Sequence, residues 1–322
     1  MAEEKKANTV AYRNIGIDWI KAVSIIAIII THYDFSEDAI ALFVFPYFIN
    51  LAMPCLMIVV GYNAGSRNGV FTYKNTFKYF TRLFPAWLIA MLVEIYLLRS
   101  RNSMLINDIY QTLIIRQDYG KGSYFPWVYL KMILLLPVMD LIIRKFRRIG
   151  LAGLILLNLL FEIFVSVTDM DPVTYRLASI RYLAFVAVGL YYGRSKCSVK
   201  GTNLVLGAVA GGMIVYFLNY HEPLFLFKQW RSTSLPVILF VFVYVYMIIE
   251  YWKFRSPVIE LIARSTFHIF LVQMIYYRFY YQYIEKLMKS MGIRIIINLL
   301  ICILVGVVFW MLDKLTTQLV KS

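Results

Sequence analysis

Ile15-Gly16-Ile17-Asp18-Trp19-Ile20-Lys21-Ala22-Val23-Ser24-Ile25-Ile26-Ala27-Ile28-Ile29-Ile30-Thr31-His32 is the stretch whose reading decides the fold. From Ile25 to Ile30 every residue is apolar and nothing alternates. A membrane β-strand shows about 10 residues of alternating hydrophobicity, so this run is not one. A helix of about 20 apolar residues spans the hydrocarbon core, about 30 Å thick. Lipid offers backbone N–H and C=O groups no partner, and a helix satisfies them internally. The run from Leu299 to Val308 reads the same way.

Composition extends this reading to the whole chain. Of 322 residues, 61% are hydrophobic and 16% charged, and the mean hydropathy is +0.69. Soluble domains run at roughly 45–50% apolar and about 25% charged. The apolar residues gather into ten predicted spans: 15–35, 39–62, 79–98, 124–143, 150–168, 175–194, 203–219, 233–252, 266–283 and 295–312. The expected fold is an all-α polytopic membrane protein, with residues 1–322 as one membrane-embedded domain and residues 1–14 as a polar tail. No cleavable leader, appended soluble domain or internal repeat is evident.

The net charge of +15 does not signal nucleic acid, because the basic residues lie in short loops between spans. On one side, loops such as the one holding Arg144, Lys145, Arg147 and Arg148 collect roughly twice the Lys and Arg of the other side, which predicts both termini in the cytoplasm. Cys55, Cys197 and Cys302 are far apart and give neither a disulfide framework nor metal-ligand spacing.

Ionisable residues inside spans are costly and are therefore functional candidates. The first span carries Asp18, Lys21 and His32. Eleven steps of about 100° return Lys21 and His32 to one face, about 16.5 Å apart along the axis. Asp18, three residues before Lys21, is placed to fix that lysine, and Asp34 flanks the far end. Glu162 and Arg181 fall at similar depth on consecutive antiparallel spans, as an ion pair or the wall of a polar pocket. Arg176 and Glu94 are expected nearer a solvated rim. Lys74, Lys78 and Arg82 form a basic cluster at a helix entry, suited to phosphate or pyrophosphate. Gly120-Lys121-Gly122-Ser123-Tyr124-Phe125-Pro126-Trp127 is a glycine-broken aromatic approach to the fourth span, either a loop over a pocket or an interfacial belt.

These residues resemble the integral membrane acyltransferase family 3, whose members acylate glycans and related acceptors. Asp18, Lys21 and then ten residues to His32 match that family's first-span pattern, and Gly61-Tyr62 closes the second span as expected, with Val60 in place of a serine. Arg82-Leu83-Phe84-Pro85 resembles half of a paired-arginine motif whose first position is Tyr79 here. The Gly120–Tyr124 loop leading to Trp127 and Pro137, Asn158 with Glu162, Arg176 with Arg181, and Ser265 to Gln273 follow in order, Gln273 standing where histidine is common.

The resemblance implies an O-acyltransferase of the cytoplasmic membrane. It would move an acyl group, expected to be acetyl, from cytoplasmic acyl-CoA to a hydroxyl of a cell-surface or lipid-linked glycan. His32, Lys21 and Asp18 would be catalytic, with His32 as general base or transient acyl carrier. Lys74, Lys78 and Arg82 would hold the donor's phosphates, and Glu162, Arg181, Arg176 and Tyr124 would face the acceptor. Acyl-CoA is a substrate in this scheme, and neither a resident cofactor nor a metal is expected. The competing readings are a transporter or flippase for a lipid-linked glycan and a non-catalytic subunit of a polysaccharide export system.

Overall fold

A computed structural model describes residues 14–33, 51–67, 69–102, 122–195, 201–220 and 235–319. Among them every regular element is a helix. In chain order these are α1 (Ile15–Thr31), α2 (Ala52–Gly65), α3 (Tyr73–Asn102), α4 (Tyr124–Thr168), α5 (Pro172–Leu177), a 3₁₀ turn (Ser179–Tyr182), α6 (Leu183–Ser195), α7 (Gly201–Tyr220), α8 (Leu235–Tyr251), α9 (Pro257–Phe279), α10 (Tyr281–Leu287) and α11 (Met291–Leu319).

Four of these helices, α3, α4, α9 and α11, are long and apolar enough to cross a membrane. That is fewer than the ten predicted spans among the described residues, and the individual segments show why. The predicted spans 124–143 and 150–168 are two helices inside the stretch α4, parted at Arg147 (φ 48, ψ −118) where the sequence reading separates them. The chain turns back sharply there, since a Cβ on Gly150 would lie 2.7 Å from the Ile142 carbonyl oxygen. The segment 175–194 is not one helix. Ala178 is extended (φ −73, ψ 106), and the chain passes from α5 through the 3₁₀ turn into the 13-residue α6. Helix α1 stops four residues before the predicted end of its span, at its C-cap His32. Helix α9 starts nine residues before its predicted span because Ser256 caps it, accepting from the Ile259 N–H, and Pro257 fills its first turn.

The most extensive helix contact joins α2 and α6. It rests on two glycine pairs of identical spacing, Gly61 with Gly65 and Gly189 with Gly193. A Cβ at Gly61 would lie 2.0 Å from the Val186 carbonyl oxygen, and one at Gly189 would lie 2.0 Å from that of Ile58. Gly65 and Gly193 abut the carbonyls of Leu190 and Tyr62 in the same way. The two backbones thus touch directly, as small-residue pairs four apart allow in membrane helices. Helix α1 lies against α2, α8, α9 and α11, so most of its surface faces protein. Asn14 caps it by accepting the Ile17 N–H (3.3 Å), and the Trp19 indole donates to the Phe254 carbonyl (2.7 Å) just beyond α8.

A separate clamp holds the turn of α4. Asp140, fully buried, accepts hydrogen bonds from the Phe71 N–H (2.8 Å) and from Arg144 Nε (3.0 Å), and it pairs with Arg194 of α6. On the outside the pattern of a soluble protein is inverted. Leu300, Leu304, Val308 and Leu312 make a stripe along α11, each more than half exposed. Leu92 and Tyr96 do the same on α3, and Leu88 one turn before them is exposed too. Apolar surface this continuous needs hydrocarbon around it, which makes this a membrane protein.

Gly189→Ala inserts a methyl group where the Ile58 backbone stands and should destabilise the fold by about 1–3 kcal/mol. Gly153→Ala, on α4 where nothing lies within 4 Å of the new Cβ, should be neutral or stabilising by about 0.5–1 kcal/mol. Thermal unfolding of the two variants in detergent checks the contrast.

Candidate functional site around His32, Gly122 and Arg181

His32 ends α1, and its ring meets Tyr277 of α9 edge-on, with centroids 5.6 Å apart. The Tyr277 hydroxyl donates to the Ile29 carbonyl of α1 (2.8 Å), which fixes α9 against the end of α1. Gly122 comes in from the other side. Its φ of +87° belongs to the left-handed region that glycine enters without cost, and a Cβ there would lie 3.0 Å from His32 Nε2, 3.1 Å from Gln273 Nε2 and 3.4 Å from the Phe270 ring. Imidazole, amide and backbone turn therefore converge on one spot. Gln273 is fully buried on α9, and neither its amide nitrogen nor its oxygen has a hydrogen-bond partner among the described residues.

Two residues after Gly122, Tyr124 begins α4 and opens the second half of the site. Its ring centroid lies 6.0 Å from the guanidinium carbon of Arg181, and its hydroxyl shares a hydrogen bond with Tyr182. Tyr175 and Tyr182 approach Arg181 more closely, at 4.5 and 4.7 Å. Tyr175 also donates its hydroxyl to Glu162 (3.0 Å to Oε1), and Asn158 donates to the Ile180 carbonyl (2.9 Å), which pins the 3₁₀ turn to α4. The expected neighbourhood of Glu162 and Arg181 is thus present, with Tyr175 between them. Both are buried, at 1% and 5% exposure. Arg176, on α5, is exposed. Glu94 is not at a solvated rim but buried within α3.

The remaining predicted residues divide into two groups. Asp18 is buried in the first turn of α1, where the helix dipole favours a carboxylate, and Lys21 is half-buried one turn on. Lys21 and His32 belong to one helix and its cap, as the spacing requires. Lys74, Lys78 and Arg82 all sit exposed on α3, and the charge of Arg82 acts on the Tyr129 hydroxyl and the His268 ring. Asp34, Gly120, Lys121 and Cys197 lie outside the described residues.

Several residues of the site carry no sequence signal of their own. Tyr175 and Tyr182 are two among 25 tyrosines. The pairing of His268 Nε2 with Asp313 (3.0 Å) links α9 to α11 across 45 positions. The spacing of Asp140 and Arg144, one helical turn, was the available clue to the clamp on α4. No group of three or more His, Cys, Asp or Glu side chains among the described residues is placed to hold a metal ion.

Gly122→Ala adds a Cβ at the convergence point and a positive-φ penalty of about 1–2 kcal/mol. With ¹⁵N-labelled imidazoles, the variant should displace the His32 resonances and leave those of His268 in place; unmoved His32 signals would contradict the close approach. Comparison of the chain with known protein families, characterised proteins and solved structures finds no match.

Proposed function

We propose that the protein is a membrane O-acyltransferase that moves an acyl group, acetyl in the simplest case, from acyl-CoA to a hydroxyl of a glycan or lipid-linked sugar. One observation carries the reading. The short turn at Gly122 brings a histidine and a buried amide to one point, and the tyrosine two residues later closes over a buried arginine walled by aromatic rings. Imidazole titrates near neutral pH and can take a hydroxyl proton there. Aromatic faces with an arginine and a carboxylate beside them suit a sugar, which presents both apolar faces and hydroxyls. The resemblance of Asp18, Lys21 and His32, and of the later motifs, to the acyltransferase family supports the same chemistry.

In this scheme His32 Nε2 accepts the proton of the acceptor hydroxyl as its oxygen attacks the thioester carbonyl. The carbon–sulfur bond then breaks, and the proton passes to the departing thiolate. In the other route Nε2 itself attacks, forms an acyl-imidazole and releases the thiol, and the sugar hydroxyl then takes the acyl group. Both routes use the same nitrogen. Lys74, Lys78 and Arg82 supply cations for the diphosphate and phosphate of the donor. Lys21, about 16.5 Å from His32 along the helix, lies on the line the thioester arm would follow. Asp18 steadies that lysine. Donor binding on the cytoplasmic face, with both chain termini on that side, belongs to this proposal.

His32→Ala, inserted in the membrane at normal levels, should lower acyl transfer by about 10²-fold or more. Mass spectrometry of glycans made by cells carrying the variant reads the lost acyl mass, and undiminished acylation would end the assignment. Arg82→Ala should raise KM for acyl-CoA while leaving kcat nearly unchanged, as steady-state kinetics on the purified protein would show.

A further inference from the structure

We infer that the 3₁₀ turn Ser179–Tyr182 binds a carboxylate carried by the acceptor sugar. This rests on the glycan-acylation reading and adds the charge class of the acceptor. Arg181 is 5% exposed, yet its Nε and Nη1 have no hydrogen-bond partner among the described residues, and neither has the buried Ser179 hydroxyl on the same turn. A guanidinium receives a carboxylate along its side edge through Nε or at its end through Nη1, so each edge keeps an open donor. Leaving such donors unmet in a buried site costs free energy, and more when the group is charged.

The surroundings favour the smaller of two anionic charges. Tyr175, Tyr182 and Tyr124 enclose the guanidinium, and cation–π attraction from their faces keeps it charged without supplying an anion. Glu162 acts on Arg181 through its field, and its carboxylate accepts the Tyr175 hydroxyl. Glu162 already balances the charge of Arg181, so a bound carboxylate leaves one net negative charge in the site and a phosphate dianion leaves two, and the monoanion is the less costly to bury. The site also lies where an acceptor is needed. The α-carbons of Tyr124 and Gly122 are at most about 7 Å apart, so the aromatic wall of Arg181 begins two residues from the glycine that meets His32.

The test uses the full-length protein in lipid nanodiscs, with methyl β-glucuronide, methyl β-glucoside and inorganic phosphate as probes and saturation-transfer NMR as the readout of binding. The glucuronide should bind about 10-fold or more tightly than the glucoside, the effect of one charge-assisted pair. Arg181→Gln should erase that preference, Arg181→Lys should keep part of it, and Ser179→Ala should reduce it in a protein whose fold does not use that hydroxyl. His32→Ala should leave the preference intact. Equal affinity for the two glycosides, a preference that survives Arg181→Gln, or phosphate binding more tightly than glucuronide would each overturn the inference. Acyl transfer to neutral glycans without any glucuronide preference would remove the carboxylate site alone. A glucuronide preference in a protein with no His32-dependent transfer would remove the acyltransferase reading alone.

Discussion

The backbone contact between α2 and α6 sets the geometry of this molecule. Lipid tails are as apolar as leucine, so helices in hydrocarbon gain little from burying apolar side chains against one another. What holds them together is close packing and polar contact. Gly61, Gly65, Gly189 and Gly193 let two helices meet carbonyl to α-carbon along a full turn on each side. Helix α6 carries the 3₁₀ turn at its start, and α2 packs against α1. The glycine contact therefore fixes the distance between Arg181 and the helix that presents His32.

Helix α1 is the second constraint. It is surrounded by α2, α8, α9 and α11, so its polar residues face protein rather than lipid, the only arrangement in which a carboxylate, an amine and an imidazole are affordable at that depth. Gly16 against the Ile248 carbonyl and Gly306 against the α9 backbone at Ile269 repeat the close approach seen between α2 and α6. The bundle thus uses glycine at each of these close approaches, and Asp18 and Lys21 sit on a helix with four others packed against it.

The two halves of the site are held by different means. His32 is positioned by a helix end, a tyrosine bonded back to that helix and a left-handed glycine. Arg181 is positioned by a short 3₁₀ turn whose carbonyl is held by Asn158 and whose charge is sheltered by three aromatic rings. Burying a guanidinium costs several kcal/mol before any partner is counted, and cation–π contacts offset about 0.5–2 kcal/mol each. Tyr124 belongs to both halves: it stands two residues from Gly122 and closes one side of the arginine, so a movement of the turn at residues 122–123 shifts both together.

Hydrophobic run length alone established helices, a membrane setting and the approximate position of most elements, because the requirement to satisfy backbone groups in lipid acts on each segment separately. The same local rule marked Lys21, His32, Glu162 and Arg181, since a charge within an apolar run stands out whatever its neighbours are. Run length separated the two arms of α4 on either side of Arg147, but it could not foresee the extended residue Ala178 that divides the segment 175–194, because that is decided by which backbone conformation the packed neighbours impose. The glycine pairs of α2 and α6, the ring cage of Tyr175 and Tyr182, and the meeting of Gly122 with Gln273 belong to the tertiary structure. Each is a contact between residues far apart in the chain, and no periodicity within either segment records which distant backbone or side chain will lie opposite.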